Sequence, residues 1–205
     1  AHELLARGIP VLGLARTRND ALGGRWPASL EQCELDLADP GALARWLAGD
    51  ALARFAAGAR TLALVNNAGT VQPVGPLASQ DPSAVGRAVS LNVTAPLMLS
   101  AAFACAGEPG AERRILHVSS GAARNAYPGW SVYCATKAAL DLHAKAVALD
   151  ASPGVKVCSL APGVVDTDMQ AEIRATSADR FPMRERFEAM KRDGALVSAG
   201  DCARR

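Results

Sequence analysis

The chain of 205 residues lacks several things, and each absence removes a class of function. No two of its 18 glycines stand two or four positions apart, so no GxGxxG-type phosphate-binding loop can be written anywhere. Five cysteines, at 33, 105, 134, 158 and 202, form no CxxC pair and no Cys/His ligand spacing. That excludes a zinc ribbon and predicts reduced thiols in a cytoplasmic protein. Excess charge is also missing. A formal net charge of +2, with only small basic groupings near 180–192 and at the terminal Arg204 and Arg205, gives no electrostatic reason for nucleic acid or an acidic membrane. The most apolar stretch, LNVTAPLMLSAAFACA at 91–106, is short for a bilayer span and interrupted by asparagine, threonine, proline and serine. No secretory signal opens the chain.

What remains is an ordinary globular composition, half of it apolar and sufficient for one core. Short apolar runs alternate with helical ones. IPVLGLA (9–15), TLALVNN (61–67), RILHVSS (114–120) and VKVCSLAPG (155–163) read as buried strands, with a shorter candidate, CEL (33–35), ending at Asp36. Helical stretches near 39–57, 82–106 and 131–151 lie between them, the first entered through Asp39 and Pro40. Alternation of this kind predicts an α/β, doubly wound parallel sheet in a single domain over 1–205.

In such sheets ligands sit beyond the carboxyl ends of the strands, which here read Arg16, Asp36, NNAG, SSG and APG. The stretch GWSVYCATKAAL adds Tyr133 and Lys137 four residues apart, hence on one helix face. Ser120 closes a strand thirteen residues upstream, and Asn92 is a polar intruder in VSLNVTAPL. A tyrosine can protonate a carbonyl oxygen if its pKa falls toward working pH, which an adjacent lysine cation favours; a serine hydroxyl can hold the same oxygen. Taken singly, the tyrosine–lysine spacing is a coincidence, NNAG a turn, Asn92 a satisfied core amide and APG a strand exit. As an ordered set on one scaffold they point to chemistry.

That ordered set resembles the classical short-chain dehydrogenase/reductase family. NNAG at 66–69, Asn92, Ser120, Tyr133-x-x-x-Lys137 and PGVVDT at 162–167 match its motifs in order and spacing over nearly the whole chain. SSGAARNAYPGWSVYCATKAALD with APGVVDTDMQAEIR is similar to the sepiapterin reductase and benzil reductase branch. The resemblance implies a Rossmann fold and carbonyl reduction with Tyr133 as proton donor. Lys137 would lower the phenol pKa and hold the nicotinamide ribose, Ser120 would orient the carbonyl, and Asn92 would hold a relay water. It also implies Asn67, Ala68 and Gly69 beside the adenosine ribose, Asp36 and Leu37 beside the adenine, and Val165 and Thr167 at the carboxamide. The LARTRN corner holds Arg16 and Arg18 and no acid, which predicts NADP(H) rather than NAD(H).

The resemblance breaks at the front. AHELLARG reads as the family's first helix without the strand and glycine-rich loop before it, and VSAGDCARR as the start of a helix that the family follows with a last strand, so both ends read as incomplete. The expectation is a longer protein, by about 20 to 30 residues at the front, on the usual size of a βα unit. Met169, Phe181, Met183, Phe187 and Met190 could form an apolar lid facing Tyr127 and Trp130, or could simply pack two short helices. A lid would suit a bulky flat carbonyl compound, a vicinal dicarbonyl or an oxo-pteridine. Small apolar residues on several faces of the 82–106 and 131–151 helices fit the family's symmetric dimer or tetramer. Two other classes stand beside the enzyme: a silent NADP(H)-binding regulator, and a nucleic-acid-binding module using the 180–192 segment.

Overall fold

A computed structural model describes residues 1–204. The strands are β1 (Val11–Ala15), β2 (Leu30–Glu34), β3 (Thr61–Asn66), β4 (Glu112–Val118), β5 (Val155–Leu160), β6 (Val165–Asp166) and β7 (Val197–Ser198). The helices are α1 (His2–Leu5), α2 (Asp20–Arg25), α3 (Pro40–Leu47), α4 (Ala51–Ala56), α5 (Pro82–Val89), α6 (Ala95–Ala104), α7 (Ser131–Leu149), α8 (Asp168–Ala175), α9 (Arg184–Arg192) and α10 (Ala199–Arg204). Every strand pair is parallel, as the alternation predicts, and helices flank the sheet.

The backbone ladder falls into separate pieces: β1–β2, β3–β4–β5 in that order, and β6–β7. Side chains bridge the first two. Leu14 of β1 and Leu64 of β3 pack with Leu37, with Leu43 and Trp46 of α3, and with Ala95 and Leu99 of α6. A second cluster, with Ala56, Leu62, Phe103 and Ile115, seals α4 and α6 onto β3 and β4.

Several boundaries differ from those read in the sequence. The 39–57 stretch is two helices, parted at Gly49 and Asp50. Strand β2 covers 30–34 rather than 33–35, and Asp36 lies beyond it with its carboxylate accepting from the Ala38 N–H at 2.9 Å. AHELLARG yields only the four residues of α1. Pro82–Ala104 is by length and composition sufficient to cross a membrane, but Ala95, Pro96, Leu99, Ser100 and Phe103 are buried and α6 packs on β3, β4 and α3. Within that run the helix opens into one π turn, Ser90–Thr94.

Candidate active site

Three elements place the four predicted catalytic side chains. α7 starts at Ser131, so Tyr133 and Lys137 lie one turn apart near its front; both are buried, 7% and 5% exposed. Lys137 Nζ sits 5.7 Å from the centroid of the Tyr133 ring and donates to the Val118 carbonyl of β4 at 2.8 Å. Ser120 follows β4 as the cap of the 3₁₀ turn Gly121–Ala123, its Oγ accepting from the Ala122 N–H at 3.2 Å. Asn92, 1% exposed, occupies the π turn. Its Oδ1 accepts from the Thr70 N–H at 2.8 Å, while Nδ2 donates to the Thr70 carbonyl at 2.8 Å and to Thr136 Oγ1 at 3.1 Å.

The amide of Asn92 therefore clamps the loop after β3 to α7. Both of its N–H groups are engaged in that clamp. Gly69 belongs to the clamped loop. A Cβ there would lie 3.3 Å from Asn92 Oδ1 and 3.6 Å from Lys137 Nζ, so glycine keeps open the small space into which the lysine points.

The electrostatics correct one expectation. The Tyr133 phenol is raised, not lowered: burial dominates, the Ser120 hydrogen bond pulls the other way, and the Cys134 thiol adds to the rise. Lys137 is lowered to about 8 by burial, partly opposed by Asp141. Near neutral pH the protein thus holds a protonated phenol beside an ammonium group.

The cofactor-side residues are spread more widely. Asn67 and Ala68 are exposed and Gly69 is half-buried, all beside the clamp. Arg16 and Asp36 are exposed at the ends of β1 and β2, in the other piece of the sheet, and Leu37 is buried in the bridging cluster. Val165 starts β6, and Thr167 caps α8 with its backbone carbonyl accepting from Gln170 and Ala171.

Met169, Phe181, Met183 and Phe187 share one cluster with Tyr127, Trp130, Val71, Val74, Tyr133 and Ile173, and Met190 is not part of it. Phe181, fully buried, stacks on Trp130 with centroids 4.6 Å apart, and Trp130 meets Tyr133 edge-on at 5.4 Å. Sequence reasoning missed how this cover is seated. Gly129 has φ +80° and a Cβ there would strike the Arg180 carbonyl at 2.4 Å, while the Gly129 carbonyl accepts from the Gly75 N–H at 2.9 Å. Among the described residues the buried Trp130 indole N–H has no hydrogen-bond partner.

A second polar group was also missed. His117 of β4, fully buried, faces Asn66 Nδ2 across 3.1 Å and His143 of α7 across 3.0 Å. An amide nitrogen only donates, so His117 Nδ1 accepts and its Nε2–H points to His143. Burial, with smaller contributions from His143 and Lys137, lowers His117 to about 4.

The sequence pattern of the short chain dehydrogenase family matches residues 1–178, and the chain belongs to that family. It is 40% identical to a benzil reductase ((S)-benzoin forming) of Bacillus cereus over 139 residues, 66% of this chain and 56% of that protein. It is 38% identical to the sepiapterin reductase of Meriones unguiculatus over 152 residues, 72% of this chain and 57% of that one. The chain thus spans little more than half the length of these curated relatives. A solved short-chain dehydrogenase/reductase of Burkholderia vietnamiensis superposes with a TM-score of 0.78 at 56% identity, covering 86% of this chain and 84% of that one.

Proposed function

We propose that the protein reduces a ketone or vicinal dicarbonyl to an alcohol with NADP(H) as hydride source. The carrying observation is the buried pair Tyr133 and Lys137 on one face of α7, with the Ser120 hydroxyl near enough to the phenol to favour its charged form. The residues present fit the nicotinamide end of such a cofactor: among the described residues the Lys137 ammonium has one hydrogen bond, to Val118, which leaves donors for a ribose diol. Asn67, Ala68, Val165 and Thr167 would border the same group. When bound, the dinucleotide supplies the hydride.

The protein's own part is positional and protonic. The Tyr133 O–H donates to the carbonyl oxygen, and its raised pKa keeps it in the donating form near neutral pH, which favours reduction over oxidation. Lys137 holds positive charge behind the phenol, and Ser120 Oγ holds the carbonyl oxygen as charge develops on it. Asn92 keeps the Thr70 loop and α7 in register. Exposed Arg16, with Arg18 nearby and no acid on the β1 end, favours a 2′-phosphate.

The half-buried Tyr127, packed on the Trp130 and Phe181 cluster, and the benzil and sepiapterin reductases similar to this chain support a flat carbonyl substrate. Exposed Val89 on α5 and exposed Leu142 and Leu149 on α7 support pairing of two copies through these helices. The near-neutral charge supports a cytoplasmic small-molecule enzyme rather than a nucleic-acid or membrane binder.

The test is NADPH consumption with benzil, beside NADH and beside Tyr133→Phe. Turnover that prefers NADPH and collapses in the variant is expected. NADPH binding with no turnover of any diketone would instead make this a silent nucleotide-binding member of the family.

A further inference from the structure

One turn beyond Lys137, on the same buried face of α7, stands Asp141, 9% exposed. Its Oδ1 accepts from Ser159 Oγ of β5 at 2.6 Å, and its Oδ2 accepts from Arg124 Nε at 3.0 Å. Arg124 ends the 3₁₀ turn that Ser120 caps. On the other side of Ser120, the buried Ser119 hydroxyl makes no hydrogen bond of ordinary geometry, yet it is near enough to the Asp141 carboxylate to help hold its charge. Ser120 is therefore bracketed in sequence by two residues that answer to one carboxylate.

We propose that Asp141 is a positioning residue: its carboxylate ties the Ser120 segment and β5 to α7, fixing Ser120 and Lys137 against the Tyr133 phenol. The inference rests on the carbonyl-reductase reading. The fold has no need of this carboxylate for its own cohesion. β4 and β5 are already paired from Arg113–Val155 to Val118–Leu160, and α7 is seated by Leu140 and Ala144. The Arg124 side chain is 59% exposed, so the ion pair as such contributes little stability.

The electrostatics agree with the geometry. Burial would raise the Asp141 carboxyl, but the hydrogen bonds from Ser159 and Arg124, the nearby Ser119 hydroxyl and the Arg124 charge outweigh it and hold the pKa low. The resulting negative charge supports the protonated form of Lys137. The other charged or titratable groups about this pair are Arg124 from the loop, Lys145 of α7 and Cys158 of β5 along the same groove, and His117 of β4 toward Lys137.

Asp141→Ala, Asp141→Asn and Ser159→Ala are assayed with NADPH and benzil beside Tyr133→Phe, with activity normalised to folded protein by circular dichroism. Asp141→Ala is expected to lower kcat by roughly 10- to 100-fold, as for a displaced reacting group, while NADPH affinity and carbonyl KM change by less than about threefold. Asp141→Asn keeps the side-chain shape and lies between, so it carries the test if the alanine variant does not fold. Ser159→Ala, which removes one of the bonds, falls less.

Turnover of folded Asp141→Asn and Asp141→Ala within about twofold of the parent, or a raised KM at unchanged kcat, overturns the inference. Tyr133→Phe separates the two readings. If it remains active the reductase mechanism itself is wrong, whereas if it is inactive the Asp141 variants judge the positioning role alone.

Discussion

The two larger pieces of the sheet use the same parallel pairing and differ in what they enclose. In β3–β4–β5 and the helices over it, Asn66, Asn92, His117, Lys137 and Asp141 are buried and hydrogen-bonded. In β1–β2 no strand residue is fully buried, and Arg16, Arg18 and Asp36 stand in water. On the proposed reading the difference separates two tasks. Proton transfer needs groups fixed in a low-dielectric setting, where burial can move the Lys137 and His117 pKa values by more than two units. Recognition of a phosphate needs only an available guanidinium, so those residues can remain on the wet side.

The comparison breaks most visibly at Tyr133. Tyr133→Phe removes the proton donor and is expected to cost roughly a thousandfold in kcat, within the usual range for a general acid, with the melting temperature nearly unchanged. Next is Asn92→Ala, which strands the Thr70 N–H and carbonyl, while the Thr136 hydroxyl keeps its bond to the Tyr133 carbonyl. Urea unfolding should show a loss of about 2 to 4 kcal/mol, the cost of leaving buried groups unpaired.

The enclosed half should also sense acid. His117 titrates at about 4 when folded against 6.5 when unfolded, so its contribution is complete above 6.5 and is lost as pH falls toward 4. That loss is about 3 kcal/mol by the worth of a pKa unit, and His117→Asn should show a correspondingly smaller drop between pH 7 and pH 4 in urea titrations.

In the wet half, Arg16→Ala should weaken NADPH binding by about 1.5 to 3 kcal/mol, the worth of a charged hydrogen bond, and leave NADH binding and stability unchanged. Fluorescence titration of both cofactors checks it. An Arg16→Ala protein that still prefers NADPH would show that phosphate recognition lies elsewhere.

What the sequence made legible follows the same division. Tyr133 and Lys137 could be read because an i, i+4 pair on a helix has a definite geometry, and Ser120 because it closes an apolar run. Strand β2 was partly hidden: LEQCE carries as many polar residues as a loop, and only pairing with β1 makes it a strand. The raised phenol pKa was hidden too, since it depends on burial by Trp130 and its neighbours, which come from separate parts of the chain. Gly129 was not legible as a seat for the 181 segment because the contact that forbids a side chain comes from Arg180, far along the sequence. Asp141 could have been found, because it continues the 133, 137 spacing by one more turn.

The π turn at Ser90–Thr94 has a consequence for anyone editing the chain. A π turn accommodates one residue more than regular helical winding would. Deleting a single residue there would let α5 run into α6 in regular winding with the flanking helices kept nearly in phase. Leu99 and Phe103 would stay on the sheet, while Asn92, which lies inside the turn, would be re-aimed away from Thr70, so a shortening that straightens the helix would undo the clamp while sparing the fold.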